Sequence, residues 1–396
     1  MAMNDMISGT AAFPIRLNAS AAPSSGIVEV FDYGRNKPGL LPLWVGEGDL
    51  PTPSFIAEAA SRSLAAGETF YTYQGGIPSL RETIAGYLTQ LYAQPIASER
   101  IFVTAGGMHA LQLAVTMVAG AGEEVLVPSP AWPNFIGALT IAGATPREVP
   151  MRFGNQGWHL DIEDIARAVT VKTRALVINS PANPTGWTAS RDEMRALLDI
   201  ARKHGLWIIA DEIYGRFYYD GFRAPSFRDV MDADDKVMFV QTFSKNWAMT
   251  GWRIGWLEAP AELGPTIVNL IQYSSSGSPV FAQRAAEAAI AGGDGFIAEQ
   301  VERARTNRDV LIGAFSKQPR FRIASPQGAF YLFFGVEGVR DTRSLAFRLV
   351  DEANVGLAPG TAFGAGGQGY LRLCYLRKTA DIVEAARRLS HAVGAL

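Results

Sequence analysis

A series of short apolar segments, each closed by a polar or glycine-rich cluster, constrains this chain more than any other feature. Residues 101–104 meet Gly106 and Gly107 and then an apolar helical run from Ala110 to Val118. Residues 124–127 end at Pro128, 175–179 at the stretch 180–184, 206–210 at Asp211, and 236–241 at the stretch 242–245. Short strands without polar alternation, interleaved with helical patterns, predict a mostly parallel sheet sandwiched by helices, an α/β fold. Ligands of such sheets bind outside the carboxyl ends of the strands. Gly106, Asn183, Asp211 and Lys245 are therefore expected to converge despite their separation in sequence.

A chain of 396 residues exceeds what one small core usually organises. The expected division is an N-terminal arm with part of a small domain over 1–42, a large domain over 43–290, and a smaller α+β domain over 291–396. The first 25 or so residues are rich in Ala, Ser, Gly and Pro and read as an arm. A long helical pattern runs from Gln283 to about Lys317 with an interruption at 292–295. Strand-like stretches at 328–334 and 371–375 and a helix over 381–393 follow.

Charged residues make up 19% and the net charge is -2, so no broad positive field awaits nucleic acid or an anionic membrane. No apolar run reaches the roughly 18–20 residues that span a bilayer. The first residues lack a basic region leading into an apolar core, so no signal peptide is expected. The single cysteine, Cys374, excludes an intrachain disulfide and reads as a small buried residue in a strand. A cytoplasmic enzyme without a metal site fits these features.

The chemistry is concentrated at the strand ends. Lys245, in T-F-S-K-N-W-A-M-T-G-W-R-I-G, follows a strand among mostly uncharged residues. Desolvation there lowers an amine's pKa and suits it to a Schiff base. Thr242, Ser244 and Arg253 offer donors for a phosphate. Asp211, in L-W-I-I-A-D-E-I-Y, follows an apolar strand and needs a partner or a capping role. Glycines in T-A-G-G-M-H-A-L open a helix whose N-terminus favours an anion, and His109 beside them reads as packing. Arg372, in Y-L-R-L-C-Y, needs an anion within its strand, either a structural partner or a ligand carboxylate.

Together these motifs resemble class I aminotransferases, the fold-type I pyridoxal-phosphate enzymes, and their order agrees with that family from Gly46 to Arg372. The resemblance implies that Lys245 binds pyridoxal 5′-phosphate as a Schiff base. It implies that Asp211 pairs with the ring nitrogen, and that Tyr214 and Asn183 contact the ring oxygen. Trp132, in S-P-A-W-P-N-F, would stack on the ring. Gly106, Gly107 and Met108 would cup the phosphate with Thr242, Ser244 and Arg253. In F-Y-T-Y-Q-G-G, register selects Tyr71 over Tyr73 to reach the phosphate of a neighbouring subunit, making the site shared within a homodimer. Arg372 would grip the substrate α-carboxylate, near Gly46 of V-G-E-G-D-L. Thr242, Met108 and Gly48 depart from the residues usual at their positions; Met108 leaves only a backbone N–H for the phosphate.

The implied activity transfers an amino group from an α-amino acid to a 2-oxo acid. The alternative is a carbon–sulfur lyase of the same fold, suggested by P-L-W-V at 42–45. A cofactor-sensing transcriptional regulator would need a DNA-binding domain before the cofactor domain, and the arm is short and lacks a basic helix. No second arginine for an acidic side chain is identifiable. Trp132, Phe135 and Tyr73 would suit an apolar or aromatic one.

Overall fold

A computed structural model describes residues 15–396; of the expected arm, residues 1–14 lie outside the described residues. A seven-stranded sheet runs in the order Ile101–Thr104, Gly255–Glu258, Val237–Thr242, Trp207–Asp211, Thr173–Asn179, Glu124–Ser129 and Thr145–Pro150. The last five pair in parallel. Gly255–Glu258 is antiparallel to both neighbours. Sequence patterning anticipated neither this strand nor Thr145–Pro150. The physical reason for the reversal is the connection. Residues 243–254 hold only a short turn at Thr250–Trp252, whereas a parallel return needs a longer crossover, usually a helix.

Asp211 and Thr242 are each the last residue of a parallel strand, one position later than patterning placed the strand ends. These two strands are buried over 208–211 and 237–242, and each fully buried Ile or Val side chain contributes about 1.5–3 kcal/mol. The helix Arg191–His204 shows how local sequence sets the covering layer. Ser190 and Glu193 form a capping box, Gly205 closes the end in the left-handed region, and Met194, Leu197, Leu198 and Ala201 face inward.

A second, antiparallel sheet joins Phe321–Arg322, Tyr331–Val336, Tyr370–Cys374 and Ala358–Pro359. The short strand Leu41–Pro42 pairs with Val355–Gly356 in a separate two-stranded sheet, so N-terminal residues pack with C-terminal ones. The helices Val280–Gly292 and Asp294–Phe315 meet at the expected glycine interruption, and Thr379–Gly394 closes the chain. Among the described residues no helix is long and apolar enough to cross a membrane.

Candidate active site

Every expected site residue except Gly106 and Tyr71 lines one cavity of about 590 Å³. Its floor is formed by the carboxyl ends of the strands that carry Asp211 and Thr242.

One end of the cavity is built for an anion. Gly106 has φ +86° and precedes the helix Gly107–Val118, whose first N–H groups have no intrahelical acceptor. A Cβ at Gly106 would lie 2.7 Å from Arg253 Nη2. Gly106 therefore sits behind the cavity wall and lets the guanidinium approach. Gly255 serves the same corner, because a Cβ there would stand 2.5 Å from the Gln241 carbonyl and 3.0 Å from Gly107 N. Thr242 Oγ1 donates to Ser244 Oγ at 2.9 Å and accepts from Ser244 N–H at 3.1 Å. Arg253 has φ +54° and Ala248 φ +52°, left-handed conformations that cost non-glycine residues energy. Two in one short loop mark strain held beside the anion cup. Replacing Gly106 with Ala is expected to weaken binding of a phosphate-bearing ligand, such as the pyridoxal 5′-phosphate that the sequence resemblance implies, by roughly 10- to 100-fold, the equivalent of about 1.5–3 kcal/mol. Spectrophotometric titration of cofactor-free protein checks this, and unchanged affinity contradicts the cup.

Further along the cavity lies a buried carboxylate. Asp211 is 1% exposed and accepts from Asn179 Nδ2 at 3.2 Å and Ile213 N–H at 3.3 Å, both neutral donors. Burial, opposed by these hydrogen bonds and by Lys245, pushes its carboxyl up to about 7. The half-buried Lys245 donates from Nζ to the Gly46 carbonyl at 2.7 Å. Burial brings its amine down to about 8. Tyr214 shares a 2.8 Å hydrogen bond with Tyr331 through their hydroxyls, and burial pushes the Tyr214 phenol up.

The third feature is a buried cation. Arg372 is 2% exposed and donates to Asn183 Oδ1 at 3.0 Å and to the Trp44 carbonyl, while its Nε has no partner. The rings of Tyr331 and Phe363 lie 4.7 and 4.8 Å from its guanidinium carbon. Among the described residues neither Arg372 nor Asp211 joins a salt bridge. Gly46 is required here too, since a Cβ would fall 2.3 Å from Tyr331 Oη.

Two expectations, Phe135 and Tyr73, need correction. Phe135 is 1% exposed and packs edge-on against Trp132 at 5.5 Å, so it supports the wall without lining it. Tyr73 points outward on the surface and does not line the cavity. Tyr71 is 94% exposed and does not reach the cavity of its own chain. His109 accepts from Ala105 N–H and bonds Ser274 Oγ at 2.8 Å, and Cys374 is buried.

Sequence reasoning missed Tyr331, which is hidden in the aromatic stretch F-Y-L-F-F that reads as core. It also missed Asn179, whose Oδ1 accepts from Asn183 N–H at 2.8 Å and whose amide holds Asp211. The helix Gly26–Gly34, within the segment 1–42 read as arm and part of a small domain, brings Ile27, Val28 and Phe31 to the cavity.

A sequence profile described as aminotransferase class I and II matches residues 39–389. A probable aspartate/prephenate aminotransferase of Aquifex aeolicus is 36% identical over 88% of this chain and 89% of its own length. An aspartate aminotransferase of Pyrococcus horikoshii is 31% identical over 93% of this chain and 94% of its own. The solved structure of a single mutant of Thermus thermophilus aspartate aminotransferase superimposes with a TM-score of 0.89 at 31% identity. That match covers 96% of this chain and 99% of the other.

Proposed function

This chain belongs to the class I and II aminotransferases and transfers amino groups, and from that premise we propose that it uses pyridoxal 5′-phosphate held on Lys245. The large domain over residues 43–290 would carry the cofactor, and the substrates are an α-amino acid and a 2-oxo acid. Similarity to named aminotransferases supports this over carbon–sulfur elimination.

One observation carries the reading. A buried acid and a buried base, Asp211 and Arg372, line one cavity without compensating each other or pairing elsewhere. Unpaired buried charges are costly, so each calls for a ligand group of opposite sign. A protonated pyridine nitrogen answers Asp211, and a substrate carboxylate answers Arg372. A phosphate answers the cup formed by the N–H groups of Gly107 and Met108, the hydroxyls of Thr242 and Ser244, and Arg253.

When bound, pyridoxal phosphate supplies an aldehyde carbon for the amine and a ring that accepts electrons. The residues of the chain supply the rest. Asp211 keeps the ring nitrogen protonated. Asn183 is turned by Arg372 so that its Oδ1 is occupied and its amide nitrogen is left to donate. Tyr214, anchored by Tyr331, would offer its hydroxyl to the ring oxygen. Trp132 lies in the cavity wall where it can cover the ring face. Lys245 Nζ is the base that takes the α-proton of the amino acid, and an amine brought down to about 8 is matched to that task near neutral pH. Gly46 accepts from that amine and holds it in place. The exposed Tyr71 would reach the phosphate of the neighbouring subunit in a homodimer.

Purified protein is expected to take up one pyridoxal phosphate per chain and to convert an amino acid plus a 2-oxo acid into the exchanged pair. Arg372→Leu should raise KM by roughly 30- to 5,000-fold, as truncating one side of a buried charge pair costs about 2–5 kcal/mol. Chromatographic quantification of both products tests this; a wild-type protein that binds the cofactor yet exchanges no amino group refutes the proposal.

A further inference from the structure

Charge is unevenly distributed around the cavity. The basic side chains in its wall are Lys245, Arg253 and Arg372. On the reading above, each already serves the cofactor or the α-carboxylate, so among the described residues none is left for a second carboxylate. Glu47, whose carboxylate accepts from Thr250 Oγ1 at 2.9 Å, adds negative charge to the wall. The apolar part of the lining includes Ile27 and Phe31 of the helix Gly26–Gly34 together with Val45, Met108 and Trp132.

A second cavity, of about 430 Å³, adjoins this one, and Ser25, Met108, Pro133 and Asn134 border both. The partition is soft. Met108 Sδ accepts from Asn134 Nδ2 at 3.5 Å, a weak contact made by an unbranched, adaptable side chain. Beyond it the wall is formed by Pro23, Ile136, Ile141 and Ala362. Glu148 stands in the same wall, and its Oε2 is engaged by Ser129 Oγ and Ala365 N–H. Gly137 in this wall lies within the helix Pro133–Ala142, and a Cβ there would meet only Pro23 Cγ, at 3.9 Å. The space beside Gly137 is open to a larger group.

We propose that this second cavity receives the far end of a long apolar side chain on the amino donor, admitted past Met108 and Asn134. The preferred donors are then leucine-, methionine- or phenylalanine-like, and dicarboxylic amino acids are poor substrates. This inference rests on the aminotransferase reading. An apolar side chain gains by leaving water for such a wall. A distal carboxylate loses its hydration there, finds no cation and faces Glu148.

The test is the donor half-reaction of the holoenzyme, followed by cofactor absorbance so that no acceptor is needed. Donors are alanine, leucine, phenylalanine, aspartate, glutamate and arginine. Leucine and phenylalanine are expected to react with apparent second-order rate constants roughly a hundredfold above aspartate and glutamate. Gly137→Leu fills the second cavity and should lower the phenylalanine-to-alanine ratio roughly tenfold. Calorimetry should show tighter binding of 3-phenylpropanoate than of succinate. Aspartate, glutamate or arginine matching phenylalanine overturns the inference. So does a folded Gly137→Leu protein with an unchanged ratio. If none of the donors reacts, the aminotransferase reading itself falls, a result distinct from a wrong ranking.

Discussion

Replacing Lys245 with Ala should lower multiple-turnover amino transfer by at least ~10³-fold, because on the proposed mechanism one amine both anchors the cofactor and moves the α-proton. No other side chain among the described residues is placed to substitute. Arg253 and Arg372 are the other cations of the cavity, and a guanidinium stays protonated in proteins and cannot act as a base. The loss should be chemical and not structural. Lys245 is half-buried, its only hydrogen bond goes to the Gly46 carbonyl, and its burial opposes its charge. The variant should therefore fold, as circular dichroism can check. Borohydride reduction followed by peptide mapping should fix the cofactor on Lys245 in the wild type and nowhere in the variant. Retained turnover, or a label on another residue, removes the basis for the mechanism.

Asp211→Asn should produce opposite effects on stability and catalysis. Alone in the cofactor-free protein, Asp211 has its carboxyl raised from 3.8 to about 7, mainly by burial. The folded state then holds a proton that the unfolded chain has released between those values. Stability from this group is greatest below about pH 4, declines as pH rises toward 7 and levels off above it. The total amounts to on the order of 4 kcal/mol. Asn is close to isosteric and carries no charge, so cofactor-free Asp211→Asn should be more stable than the wild type at pH 8 and similar to it near pH 4. With cofactor bound the sign reverses, because the carboxylate has its cationic partner. Breaking a buried pair costs about 3–5 kcal/mol, so the donor half-reaction should slow by a factor of about 10²–10⁴. Urea denaturation at the two pH values and stopped-flow absorbance provide the two readings. A variant that is less stable at pH 8, or that reacts as fast as the wild type, contradicts the pairing of Asp211 with a ring nitrogen.

The legible part of this site has a common physical character. Gly106, Asn183, Asp211 and Lys245 each lie at or just past the end of a short apolar strand, and strand period and strand ends are local properties. The parallel sheet then brings those ends together. The antiparallel strand Gly255–Glu258 was not legible, because its direction depends on how residues 243–254 turn back. Trp132 and Phe135 sit three residues apart and read alike, yet one lines the cavity and the other is sealed beneath it. Their difference is set by the start of the helix Pro133–Ala142.

The order of the residues by itself determined the strand–helix alternation, the chemical types at the strand ends and the lysine on which the proposed chemistry depends. Only the tertiary structure decided which charges go without a partner, and which aromatic groups stand beside them. Arg372 finds Asn183 across 189 positions of sequence. Tyr214 finds Tyr331 across 117. Burial and charge compensation are properties of neighbours in space, so a buried arginine cannot be told from a paired one until the chain has folded around it.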